Sequence, residues 1–319
     1  MKRACAVLLL SLAASLAGAQ GYPERPVRVI VGFPPGGPTD IVARLFAQRA
    51  QQALRQSFVV ENKPGANSVV ATEAVAASKP DGYTLLAAAQ NHAMIPALYA
   101  DRVSFDALAS FAPICIVAKS PTVLVVAPRF GVRTLDEFLK KVREKPGAYT
   151  YASVGVGSAV HLATEDLLHI TKISLTHVPY KGAAPASTAL LAGEVDAYLA
   201  TIGSVLPHIK AGKLVPIAVA AAARSRLLPD VPTFTEQGVP GFQAEVWYGL
   251  LAPAATPRPV LQALEREARG FSDDASIGER LVAAGIEPAA TCGSAFSAQL
   301  ATEIRTFKSV AQRLNLKVE

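Results

Sequence analysis

Residues 27–40 read Val27-Arg28-Val29-Ile30-Val31-Gly32-Phe33-Pro34-Pro35-Gly36-Gly37-Pro38-Thr39-Asp40, and a helical run over 41–54 follows at once. A β-branched strand enters a glycine and proline loop, and a helix leaves it. Such a junction aims unpaired backbone N–H groups and the positive end of a helix dipole at one point, which suits an anion. Gly36 and Gly37 let backbone approach a ligand with no Cβ in the way. The loop has neither the Gly-x-Gly-x-x-Gly spacing nor the Lys-Ser/Thr pair of the familiar phosphate cradles. Thr39 or Asp40 stands where an N-cap belongs, and an ordinary βα turn explains the same residues equally well.

Working outward, residues 58–62 read as a second strand, 63–68 as a turn with Gly65 left-handed, and 69–77 as a helix. Lys79-Pro80-Asp81-Gly82 is a turn, and 83–88 is a short buried strand ending at Gln90-Asn91-His92. This β-α-β-α-β order predicts a parallel sheet with helices on its faces. Ligands bind beyond the carboxyl ends of such strands, where loop 33–40, loop 64–68 and Asn91 all fall.

The apolar run 113–127, interrupted by Lys119-Ser120-Pro121, reads as a strand crossing into a second lobe. Thr134 and Glu137 form a capping box ahead of a helix that stops before Pro146-Gly147. The opening logic then recurs: strand 149–152, loop Ser153-Val154-Gly155-Val156-Gly157-Ser158, helix 159–169. Val160 stands where a dinucleotide fingerprint would need its third glycine. Further strands are expected at 174–178, 195–200 and 214–220, with helix 186–192 closed by Gly193 and a loop over 201–204 that could face the same cleft. Residues 224–232 read as a linker back, and strand 244–252, helix 257–270 and a terminal helix from Ala295 complete lobe one. The expected organisation is α/β in two lobes: 20–120 and 227–319 as lobe one, 121–226 as lobe two.

Composition limits the function. Lys2 and Arg3, the apolar run 4–16 and Ala17-Gly18-Ala19 form a secretory leader over 1–19, cleaved after Ala19. No cysteine follows where a lipid anchor would need one, so release into the periplasm is expected. The longest later apolar run, 214–223, is far below the roughly 20 residues that span a bilayer. About 300 remaining residues call for two cores. Without Lys2 and Arg3 the chain has 31 − 2 = 29 basic against 25 acidic residues, a surplus too small and too dispersed for nucleic acid. Cys115 and Cys292 remain; a bridge is open to them in an oxidising compartment, but two cysteines so far apart make no disulfide framework, and the reading leans toward unpaired thiols.

Gly32-Phe33-Pro34-Pro35-Gly36-Gly37-Pro38-Thr39-Asp40 resembles the opening signature of the Bug family, the solute receptors of tripartite tricarboxylate transporters. The likeness continues through Val60-Glu61-Asn62-Lys63-Pro64-Gly65-Ala66, Pro80-Asp81-Gly82-Tyr83-Thr84-Leu85, His177-Val178-Pro179-Tyr180-Lys181-Gly182-Ala183-Ala184-Pro185, Leu228-Pro229-Asp230-Val231-Pro232-Thr233 and Trp247-Tyr248-Gly249-Leu250-Leu251-Ala252-Pro253. It implies a two-lobed periplasmic-binding-protein fold of type II, with a central sheet in each lobe and the ligand cleft between them. It implies a small carboxylate as ligand, held by loop amides, hydroxyls and water, no cofactor, a monomer, and a membrane permease as partner. A sensor protein is the alternative partner. On this resemblance Phe33, Gly36, Gly37, Thr39, Asp40, Ala66, Asn67, Ser68 and Asn91 form one wall, and Ser153, Gly155, Gly157, Ser158, His161 and Thr201 the other. Asn67-Ser68 replaces glycines common in the family and Thr201-Ile202-Gly203 replaces an Asp-Asn type loop, so ligand identity stays open.

A hydrolase would need Ser158, His161 and Asp166 to act together, but triad members normally come from separate elements, and a capping serine with a packed histidine is simpler. Five histidines without clustered Cys, Asp or Glu give no metal-ligand spacing. Trp247 and Tyr248 read as core before stacking platforms, and Lys181 reads equally as an anion contact or a solvated lysine.

Overall fold

The computed structural model describes residues 21–180 and 182–313; the leader over 1–19, its cleavage point and Lys181 lie outside them. The opening stretch forms β1 (Val27–Val31) and α1 (Pro38–Leu54), then β2 (Phe58–Asn62), α2 (Val69–Ala76) and β3 (Thr84–Ala89). β1 lies between β2 and β3, parallel to both. Val27, Val29 and Val31 enter one core and Ile30 another on the opposite face, the alternation of a strand buried on both sides.

After α3 (Ile95–Leu98) comes β4 (Phe111–Val126), then α4 (Leu135–Glu144), β5 (Thr150–Ser153), α5 (Ala159–Thr171), β6 (Thr176–Pro179) and α6 (Ala183–Ala192). The chain continues through β7 (Ala197–Thr201), α7 (Ile202–Lys210), β8 (Val215–Val219), β9 (Glu245–Pro253), α8 (Arg258–Asp273), α9 (Ala275–Ala283), β10 (Glu287–Cys292) and α10 (Ser294–Arg313). The expected capping box of Thr134 and Glu137 opens α4.

β4 belongs to two sheets and is not interrupted at Lys119-Ser120-Pro121. As far as Pro121 it pairs with β9, and from Thr122 onward with β7 and β8. Proline's missing donor falls where the strand changes partners, so it leaves no gap in either ladder. The first sheet runs β2-β1-β3-β9-β4-β10 and the second β8-β4-β7-β5-β6. Val123 and Val125 enter one core of the second sheet, Leu124 and Val126 the other.

Strand direction makes the lobes face each other. β9 is antiparallel to both β3 and β4, so β1, β2 and β3 run along β4 and end toward the second lobe. β7 is antiparallel to β4 and β5 is parallel to β7, so both end toward the first lobe. The loops after β1, β2 and β3 therefore oppose those after β5 and β7.

Two expectations need correction. The return to lobe one is later than residue 227: Phe234, Val239, Phe242 and Ala244 pack in a second-lobe core, and the crossing comes at β9. Phe234, Val239 and Phe242 stand in no strand or helix pattern that would reveal which core takes them. Cys115 and Cys292 are bonded to each other. β10, absent from the sequence reading, sets Cys292 directly opposite Cys115 on β4.

The lobes also touch outside the shared strands. Met94 and Leu98 pack with Leu162, Val310 and Ala311. Arg313 pairs with Asp166 at 2.8 Å, and Ser225 donates to Glu287 at 2.6 Å. Gly203 lies so close to Gly285 that a Cβ built on Gly285 would stand 2.0 Å from the Gly203 Cα.

Candidate functional site

The first wall is assembled from the carboxyl ends of β1, β2 and β3. Its helix begins at Pro38 with Gly37 as N-cap and no side-chain cap, so neither Thr39 nor Asp40 fills the N-cap role. Asp40 folds back instead: its carboxylate accepts from the Gly36 N–H at 2.9 Å, Arg44 Nε at 2.8 Å and Asn62 Nδ2 at 2.8 Å. Burial pushes this carboxyl up, but the bonds from Arg44, Gly36 and Asn62 outweigh it and hold it below its ordinary range. Asn62 Nδ2 also donates to Phe33 O at 3.0 Å, tying the loop to the end of β2. The anion at the Gly36 amide is thus one of the protein's own side chains. Thr39 is buried, while Gly36 stays exposed with open space where a Cβ would project.

Next to it lies the turn 65–68. Gly65 has φ of 146° and is not left-handed; Ala66, Asn67 and Ser68 are, with φ of 43°, 52° and 76°. Three successive non-glycine residues in that region cost about 1 kcal/mol or more each, and such strain persists where surroundings impose it. Here Asn91 Nδ2 donates to Asn67 O at 2.6 Å, and Ser68 presses against Gly32, which has no room for a Cβ. The structure thereby joins Phe33, Gly36, Asp40, the 66–68 turn and Asn91 in one surface.

The second wall is the loop from β5 into α5. Ser158 is the N-cap, accepting from the His161 N–H at 3.3 Å and donating to Gly155 O at 2.7 Å. The Gly155 N–H donates to Ser153 Oγ at 3.1 Å and the Gly157 N–H to His161 Nδ1 at 3.0 Å. Gly155 and Gly157 have φ of 132° and 73°, which suit only glycine well. His161 stacks on His177 with ring centroids 4.0 Å apart, and His177 on Tyr151 at 4.9 Å. Burial pushes each imidazole down to about 4, so both are neutral near pH 7. His177 Nε2 lies 2.7 Å from Ser153 Oγ. Sequence reasoning passed over His177; its signal was its place in a strand beside Tyr151, across from the loop. Thr201 ends β7 next to β5, and residues 202–204, expected as loop, form the first turn of α7.

Asp166 is engaged by Arg313, and Ser158 and His161 meet only through the capping bond, so the three make no nucleophile and base pair. Trp247 and Tyr248 are core residues, with Trp247 Nε1 donating to Glu303 at 2.7 Å. A separate cavity of about 360 Å³ lies beside β4 and β9 where they pass between the lobes, lined by Gln90, Lys119, Ala159, Glu245, Glu303 and Thr306 among others and by none of the expected wall residues.

Both walls present backbone amides and hydroxyls, the amide side chains of Asn67 and Asn91, and the Asp40 and His161 side chains that engage the Gly36 and Gly157 amides, with Arg44 committed to Asp40 and Asn62. Such an arrangement can bind an anion through converging dipoles and hydrogen bonds.

Comparison with known proteins gives the lineage. The sequence profile of the family described as the tripartite tricarboxylate transporter family receptor matches residues 42–316. Protein BugT of Bordetella pertussis is 33% identical over 324 residues, covering 100% of this chain and 99% of BugT. Among solved structures, Rpa4515 of R. palustris with adipate has a TM-score of 0.82 at 30% identity, covering 93% of this chain and 100% of that one. MatC of Rhodopseudomonas palustris with bound malate has a TM-score of 0.77 at 31% identity, covering 91% and 99%. With its two sheets sharing one strand and its facing loop walls, the chain belongs to the tripartite tricarboxylate transporter receptor family, a group of periplasmic binding proteins that includes the Bug proteins.

Proposed function

We propose that this receptor is exported, with its leader removed after Ala19, binds a small carboxylate between its lobes without turnover, and delivers it to a permease of the tripartite tricarboxylate type. The observation that carries the reading is the pair of facing walls, 33–40 with 66–68 and Asn91 on one side, 153–158 with His161 and Thr201 on the other, neither containing Lys or Arg. A carboxylate there recovers its lost hydration from the loop and first-turn N–H groups that Asp40, Ser153 and His161 leave free, each charge-assisted bond being worth about 1.5–3 kcal/mol. The adipate and malate bound by two relatives support the same ligand class. Lobes 21–121 with 245–313, and 122–244, hinge about β4 and β9, and the protein works as a monomer. Turnover is disfavoured because Asp166, the third member a hydrolytic triad would need, is paired with Arg313.

Thermal shift against carboxylates, amino acids, sugars and nucleotides tests this. A ligand present at 100 times Kd adds about 2.7 kcal/mol, so one carboxylate class should raise Tm, and small-angle scattering should report a smaller radius of gyration with it. Stabilisation by sugars or nucleotides alone refutes the reading.

A further inference from the structure

Besides backbone bonds from Tyr180 to Ser153 and from Ser158 to Gly155 and the Ser158 cap, the second wall is held by two stacked histidines. His161 reaches the Gly157 amide, and His177 reaches Ser153, whose hydroxyl meets both the N–H and the carbonyl of Gly155. Ser158 donates to that same carbonyl. Each end of the loop therefore has one of the two rings bonded to it.

The Gly157 bond fixes the chemistry of His161. An amide N–H can donate to Nδ1 only if that nitrogen carries a lone pair, which places the ring proton on Nε2. A protonated ring would turn Nδ1–H against Gly157 N–H, two donors facing each other. The rings lie face to face at 13°, so a charge on one opposes a charge on the other. The groups facing them are few: Tyr151 on β5, whose hydroxyl donates to Glu165, and Glu165 itself on α5.

We propose that His161, through Gly157, is a positioning residue that holds the 153–158 loop in its binding shape only while its ring is neutral, with His177 as the ring stacked on it and bonded to Ser153, so that acid releases the ligand. The inference rests on the carboxylate reading above for its ligand but not for its mechanism. It adds a pH-sensitive support beneath the loop, and it gives His177 a role.

The test uses the full mature chain with malate and adipate as probes. His161→Asn keeps an acceptor near the Nδ1 position and His177→Gln keeps a polar group near Nε2, and neither titrates between pH 7 and 4. Affinities of the wild type and of the doubly substituted protein are measured by calorimetry from pH 7 to 4, each normalised to its own value at pH 7. This cancels titration of the probe. The wild type should lose about twofold more affinity by pH 4 than the variant, because a ring that titrates near 4 is half protonated there, and superimposable profiles overturn the proposal. In parallel, amide and imidazole resonances of the ligand-free protein are followed with pH. The Gly157 amide should shift in step with the His161 ring, and a Gly157 amide indifferent to that titration refutes the coupling. If the amide follows the ring but neither probe binds at pH 7, the coupling stands and the carboxylate reading is the part that fails.

Discussion

Reducing the bond between Cys115 and Cys292 should lower stability more than any single substitution in the walls. It closes a loop spanning a sequence separation of 177. The chain-entropy relation puts the ceiling for such a loop at about 5 kcal/mol at 25 °C, and measured bridges typically contribute about 2–4 kcal/mol. A chain of this size gains about 0.6 kcal/mol/K of unfolding entropy at its midpoint, so the expected fall in Tm is about 3–8 °C. Both cysteines are buried, so reductant alone should act slowly on the native protein, and reduction is best done in denaturant before refolding. Calorimetry then compares oxidised and reduced protein of one sequence, with a thiol count after unfolding. Two free thiols in protein recovered from the periplasm, or an unchanged Tm after complete reduction, would refute the reasoning.

Ser158→Ala removes both the cap of α5 and the bond to Gly155 O, and should cost about 1 kcal/mol of stability and about 1–3 kcal/mol of carboxylate affinity, read by denaturation and calorimetry. Carboxylate affinity should change little between 20 and 500 mM salt, because buried dipoles are screened less than exposed charges; a collapse with salt would mean that a cation carries recognition. His92 is fully buried, and burial lowers its imidazole to about 4 despite the bond to Ala107 O. The unfolded chain, titrating near 6.5, therefore binds more protons, and up to about 3 kcal/mol should be lost as pH falls from 6.5 to 4 and regained above it. Urea denaturation should show a shallower slope in that window for His92→Gln, and equal slopes would exclude His92 as the source.

What the sequence made legible was local. β1, its glycine loop and α1 are specified by neighbouring residues, and so is the capping box of Thr134. The division of the site residues between two walls came from the family resemblance, and the strand directions supply its physical reason. What it hid depended on contacts between distant residues. Propensity assigns left-handed backbone to Gly65, but the bond from Asn91 and the pressure of Gly32 on Ser68 impose it on the three residues after. Asp40 looked like a cap or a ligand contact until Arg44 and Asn62 were seen around it. The disulfide was underrated because Glu287-Pro288-Ala289-Ala290-Thr291-Cys292 is a poor strand former, and only pairing with β4 makes it one.

The close approach of Gly203 and Gly285 makes the molecule resemble a book pinned along one margin. That pin lies beside α9, whose Ile277 and Leu281 pack on one face of the first sheet, whereas α10 and the cavity beside β4 and β9 belong to the other face. The other margin is held by side chains, Arg313 on Asp166 and Val310 and Ala311 against Leu162, which can slide where two glycine backbones in contact cannot, so a change in the angle between the covers is spent there. Thr306 is exposed on the rim of that cavity, and the two described cysteines are already joined to each other. An environment-sensitive dye attached through Thr306→Cys would find a single reactive thiol among the described residues. It would turn the angle between the covers into an optical signal without touching either wall.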